Sequence, residues 1–123
     1  MKLTLDARED VNLIRGYAAG SLRIGARTVT ACCIVTADTL ITDWSAPSAT
    51  ELTLAHLEPV FALDPEVVIL GTGARQRFPS SQVRAAFASR GIGLEPMDLH
   101  AACRTYNILV QEERRVAAML FLS

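Results

Sequence analysis

The residues best suited to chemistry lie in one short stretch, Leu70-Gly71-Thr72-Gly73-Ala74-Arg75-Gln76-Arg77-Phe78-Pro79. Its two glycines let backbone N–H groups approach an anion closely, and Arg75 and Arg77 add charge and forked donors. The stretch follows the apolar, β-branched run Glu66-Val67-Val68-Ile69-Leu70 and precedes a helix signal, the place where open α/β sheets bind ligands. Glu95 follows Gly73 at the ~20-residue interval of dinucleotide-binding folds. That pattern nevertheless fails twice. Gln76 stands where a third glycine is needed, and the helix begins only at Ser80, too late to hold a pyrophosphate against Gly71 and Gly73. A P-loop pattern is absent as well. No nicotinamide and no other cofactor is expected.

A second group sits on a predicted helix, in Arg104-Thr105-Tyr106-Asn107. Asparagine is poor inside a helix unless its side chain finds a partner. Tyr106 falls on the apolar stripe, so its hydroxyl needs a hydrogen bond if it is buried. Two readings stay open for this group: it holds the glycine loop or lines a pocket beside it, or it is a structural buttress. The candidate anion pocket is therefore Gly71, Thr72, Gly73, Arg75, Arg77, Arg104, Tyr106 and Asn107. Its structural alternative is a tight glycine turn with the arginines in solvent.

Other reactive residue types give weaker patterns. His100 and Cys103 lie one helical turn apart, as a base and a thiol nucleophile would, but Cys103 belongs to the apolar stripe, where a thiol packs rather than reacts. His56 reads as a surface or helix-end residue, and Asp38, Asp43 and Asp64 as turn and strand-end acids. Trp44, ending a strand, reads as core or rim. Cys32 and Cys33 are adjacent, and the chain has neither a CxxC nor a Cys/His zinc spacing. No catalytic residue and no metal ligand is assigned.

The elements that must position these residues change character near residue 50. Before it, Leu13–Tyr17, Ser21–Ile24, Thr28–Thr36 and Leu40–Trp44 read as strands of an N-terminal β-meander, with a tight hairpin at Gly25-Ala26. After it come a short helix around Leu54–Leu63 containing Pro59 and a buried strand at Glu66–Leu70. A second helix starts at Pro79-Ser80 and stops at Gly91. Ile92–Glu95 is a short strand ended by Pro96, Asp98 caps a third helix, and Arg115–Leu122 closes the chain as a strand. Leu99, Ala102, Cys103, Tyr106, Leu109 and Val110 form the apolar stripe of the third helix. The β-α-β-α-β order predicts a layered sheet with helices packed on it.

The bulk properties exclude several classes. At 123 residues, half of them hydrophobic and a fifth charged, the chain is one globular domain long. A net charge of −1 gives no general attraction to nucleic acid or to anionic membrane. No apolar run reaches the length of a membrane span. The N-terminus lacks a signal-peptide core, and Asp6, Glu9 and Asp10 argue against a transit peptide. A cytoplasmic location with reduced thiols is the expectation.

The blocks Leu70-Gly71-Thr72-Gly73, Phe78-Pro79, Gly91-Ile92, Met97, and Ala101-Ala102-Cys103-Arg104-Thr105-Tyr106-Asn107-Ile108-Leu109 resemble, in order and spacing, a small bacterial and archaeal domain family of unknown function. Its mitochondrial member is respiratory complex I assembly factor 3. The similarity is strong from Glu66 to Phe121 and looser before. It implies a single three-layer α/β domain, residues 1–123, whose central mixed sheet has helices on one side and the β-meander on the other. It implies no established enzyme activity; the alternative is a small-molecule or anion-binding protein, or an enzyme, that uses the Gly71–Arg77 loop. It does imply protein contacts, with respiratory-complex subunits as the expected partners, and it leaves a homo-oligomer open.

Overall fold

The computed structural model describes residues 11–123, so the N-terminal reading of Asp6, Glu9 and Asp10 lies outside the described residues. Among the described residues, eight strands and three α-helices follow one another. β1 (Ile14–Ala18), β2 (Ser21–Ile24) and β3 (Arg27–Val29) come first, then β4 (Cys33–Thr36) and β5 (Leu40–Ile41). α1 (Leu54–Phe61), β6 (Val67–Thr72), α2 (Ser81–Ser89), β7 (Gly93–Met97), α3 (Leu99–Gln111) and β8 (Val116–Phe121) complete the chain. The first three strands form a separate antiparallel sheet, and the other five form a mixed sheet in the order β5-β4-β8-β6-β7.

The helices take their bounds from local chemistry. Ser80 accepts the Val83 N–H at the start of α2, and Gly91, at φ +69°, supplies the left-handed residue that ends it. Asp98 caps α3 by accepting from Ala101 N–H at 2.9 Å. At α1, His56 Nδ1 accepts the Thr53 N–H at 2.9 Å, half of a capping box. Pro59 lies inside α1, whose eight residues stop two short of the expected Leu63.

Layering follows from strand order. From β6 the chain crosses through α2 to its neighbour β7, then returns through α3, past β6, to β8. Two crossovers of one hand that run in opposite directions must use opposite faces of the sheet. Accordingly Val83 and Phe87 of α2 pack with Val68, Leu70, Ala117 and Met119 on one face, where Leu57 and Val60 of α1 join them. Ala102, Cys103, Tyr106 and Val110 of α3 pack with Ile69, Ala118 and Leu120 on the other, together with Leu22, Ile24 and Val29 of the small sheet. The three-layer α/β architecture stands. The helices do not all lie on one side: α3 shares its layer with β1–β3.

The Thr28–Thr36 run divides. Residues up to Val29 belong to the small sheet and those from Cys33 to the large one, with Thr30–Cys32 turning between them. The expected Leu40–Trp44 strand is only two residues long, because Trp44 turns into the core and donates from its indole to the His56 carbonyl at 2.9 Å.

Candidate functional site

In a doubly wound sheet, ligands sit where neighbouring crossovers leave in opposite directions, beyond the carboxyl ends of the strands. Here that point lies between the Gly71–Arg77 bend after β6 and the start of α3 after β7. The chain bridges it with its own hydrogen bonds. The Leu99 N–H, one of the helix-terminal donors an anion would use, donates to the Gly73 carbonyl at 2.8 Å. Gln76 Nε2 donates to the Pro96 carbonyl at 3.0 Å. The Thr72 hydroxyl, buried at 3% exposure, faces the Arg75 and Met97 carbonyls and accepts the Arg77 N–H at 3.1 Å.

Each glycine has a steric reason. A Cβ on Gly71 would lie 2.9 Å from Leu120 Cδ2 and 3.0 Å from Ala102 Cβ, so its absence lets α3 settle against β6. Gly73 has φ +88°, and a Cβ there would stand 2.6 Å from the Ser123 backbone. Arg75 and Arg77, by contrast, point into solvent.

Tyr106 and Asn107 do different work from the bend. The Tyr106 hydroxyl, inside the core, donates to the Asn12 carbonyl at 2.8 Å. Asn107 accepts the Ile14 N–H on Oδ1 and donates from Nδ2 to the Ile14 carbonyl, both at 2.9 Å. Its amide thus behaves like one residue of an extra strand paired with β1. Asn12 continues the strap, its N–H on the Ala37 carbonyl and its amide on that of Thr36. The eight residues therefore fall into separate groups: Gly71, Thr72 and Gly73 in the closed bend, Arg75, Arg77 and Arg104 on the surface, and Tyr106 and Asn107 clamped to the N-terminal strand. Beside the bend, a cavity of about 320 Å³ is lined by Ala18, Gly73, Ala74, Asp98, His100 and Leu122, and by none of the other seven candidates. Neither Asn12 nor Gln76 figured among the expected site residues, since partners 94 and 20 residues away leave no local signal.

A larger cavity, about 570 Å³, is at the far end of the sheet, where β8 begins, between Asp38, Pro65, Val110 and Arg115. Next to it, outside its lining, the neighbouring arginines hold Glu66. Glu66 accepts the Arg115 N–H at 2.9 Å and pairs with Arg114 Nε at 3.4 Å, and these contacts hold its carboxyl below the usual range.

Two of the three thiols, Cys33 and Cys103, are quenched by burial. Desolvation first, then Cys32 and Cys103, push the Cys33 thiol up to about 12, and burial alone pushes Cys103 up to about 11. His100 packs against the Tyr17 ring, 4.1 Å between centroids, on the outer face of α3. Because the folded state keeps thiol protons to higher pH than the unfolded chain, which releases them near 9.0, their contribution to stability is complete below that pH. It is lost as pH rises toward the folded values. Melting followed from about pH 8 to about pH 10.5 should show a falling Tm, with a shallower slope in Cys33→Ala. A Tm that rises over that interval contradicts the burial of these thiols.

Known proteins resemble this chain over most of its length. The assembly factor 3 of the NADH dehydrogenase [ubiquinone] 1 alpha subcomplex from Danio rerio is 33% identical over 88% of this chain, which spans 63% of that protein. A 13 kDa major membrane protein of Francisella tularensis is 35% identical over 54% of each chain. A Xanthomonas campestris protein solved by NMR superposes with a TM-score of 0.83 at 39% identity, over 99% of this chain and 92% of its own. Among the described residues, no helix is long and apolar enough to cross a membrane. The model of the family described as protein of unknown function DUF498/DUF598 matches residues 14–121, and the chain belongs to that family.

Proposed function

We infer that the chain is a non-catalytic interaction domain that assists assembly of a multisubunit complex, with a respiratory NADH dehydrogenase as its client. One observation carries this reading. Where such a sheet would hold a small anionic ligand, the polar groups of the bend are already taken from within by Gly73–Leu99, Gln76–Pro96 and the Thr72 hydroxyl. The Gly-Thr-Gly and Tyr-Asn blocks then form a framework, and recognition falls to the surface. The relatives named as assembly factors support the client's identity. The three free thiols Cys32, Cys33 and Cys103 support a reducing, cytoplasmic setting.

The test is deletion of the gene in a host with that complex, followed by native electrophoresis and by crosslinked capture on a tagged copy. Assembled NADH dehydrogenase should fall severalfold, with its subunits recovered on the tagged chain. An unchanged level of assembled complex rejects the assembly role.

A further inference from the structure

The loop after β6 carries an aromatic ring that the fold leaves in water. Phe78 is 58% exposed, and Pro79 restricts its backbone to extended conformations. An exposed aromatic beside an apolar cleft is a common form of interface anchor. The ring forms one wall of an apolar cleft of about 340 Å³ between α2 and β7, with Phe87, Ala88, Ile92, Leu94 and Pro96.

Charge around this cleft has one sign. Arg84 is the charged residue that lines it. From Arg75 to Arg90 there are four arginines and no Asp or Glu. Leu94 packs toward α2, so its neighbour Glu95 points to the opposite face of the sheet. Arg75, Arg77 and Arg84 are exposed and have no salt bridge among the described residues. The edge of β7 is a poor template for an added strand. Pro96 has no N–H, and its carbonyl already accepts from Gln76. Docking here must therefore use side chains.

We propose that the α2–β7 cleft binds an acidic segment of a client protein, with a large apolar side chain beside Phe78 and carboxylates on Arg84, Arg77 and Arg75. Guanidinium forks suit carboxylates, and the apolar floor accepts the anchor. The proposal rests on the interaction role inferred above and names its surface.

The probe is a capped peptide, Asp-Glu-Asp-Leu-Phe-Asp-Glu-Asp, titrated into the labelled chain and followed by NMR. Two control peptides replace the acids by lysine or Leu-Phe by alanine. Amide shifts should be confined to Arg75–Arg90 and Gly93–Met97, arise from the acidic peptide alone, and weaken with salt. Arg84→Glu and Phe78→Ala, both at exposed positions, should each reduce affinity by about tenfold while keeping a native spectrum. Silence of these amides at about 1 mM peptide, an equal response to the lysine version, or full affinity in Arg84→Glu overturns the proposal. So does sedimentation showing that a second copy of the chain fills the cleft. In deletion cells, the Phe78→Ala/Arg84→Glu double variant should fail to restore assembled NADH dehydrogenase. Full restoration by that variant, where empty vector restores none, removes the cleft and leaves the assembly role standing. A deletion without phenotype removes the assembly role and leaves the peptide titration to judge the cleft.

Discussion

Gly73→Ala should lower the free energy of unfolding by about 3 kcal/mol, roughly 10 °C in Tm for a chain of this size. A left-handed backbone costs an L side chain roughly 1–2 kcal/mol by itself. At Gly73 the new methyl would also stand 2.6 Å from Ser123 backbone atoms, so main chain and not a side-chain end must shift. Relieving that overlap moves the chain leaving β8 or the bend, and moving the bend strains the Leu99–Gly73 hydrogen bond, itself worth about 1 kcal/mol. Gly20→Ala is the matched control, with φ +77° and nothing within 4 Å of the added carbon. It should cost only the conformational part, about 1 kcal/mol. Equal losses in the two variants, measured by urea unfolding, would show that the bend is not packed against residue 123.

The second large effect belongs to Asn107→Ala, which should destabilise the chain by about 2 kcal/mol. The substitution improves intrinsic helix propensity, so a helix-only view expects a small gain. Against that gain stand two hydrogen bonds of 2.9 Å to the N–H and carbonyl of Ile14, a residue buried against α3. Removing their partner leaves both backbone groups unpaired next to the core, each costing about 1–3 kcal/mol where water cannot replace the amide. Tyr106→Phe, which strands only the Asn12 carbonyl, should cost about 1 kcal/mol. An Asn107→Ala protein as stable as wild type in urea would mean that the amide is not a clamp.

How far the sequence led depended on whether a feature was local. Ser80, Gly91 and Asp98 set the bounds of α2 and the start of α3 because caps act on neighbouring residues, and each was legible. The buried character of β6 and β8 was legible for the same reason: their continuous apolar runs mark strands covered on both faces. The break at Thr30–Cys32 was not, since a β-branched run looks alike whether it stays in one sheet or crosses to another. Pro96 was expected to end its strand, yet it lies inside β7, tolerated because that strand is an edge and the proline faces away from the ladder. The two-sided placement of the helices needed the strand order, which no window of sequence contains.

The candidate site divided along the same line. That Tyr106 and Asn107 required polar partners followed from residue type alone, as did the need for glycine at a tight bend. Which partners they found did not. Asn12 and Ile14 lie more than 90 positions away, and neither carries a side chain that announces a carbonyl or an amide in need. Thr72 likewise offers no local sign that its hydroxyl would fill the turn it begins.

Hydrogen exchange at the Ile14 amide is the sharpest probe of whether the Tyr-Asn block is framework. In the native protein this proton should exchange slowly, and in Asn107→Ala it should exchange faster, by more than the same substitution accelerates the amides of Ala118 and Leu120 in β8. Unchanged protection of Ile14 in that variant would contradict a clamp, and would return Asn107 to the surface as a residue free to meet a ligand.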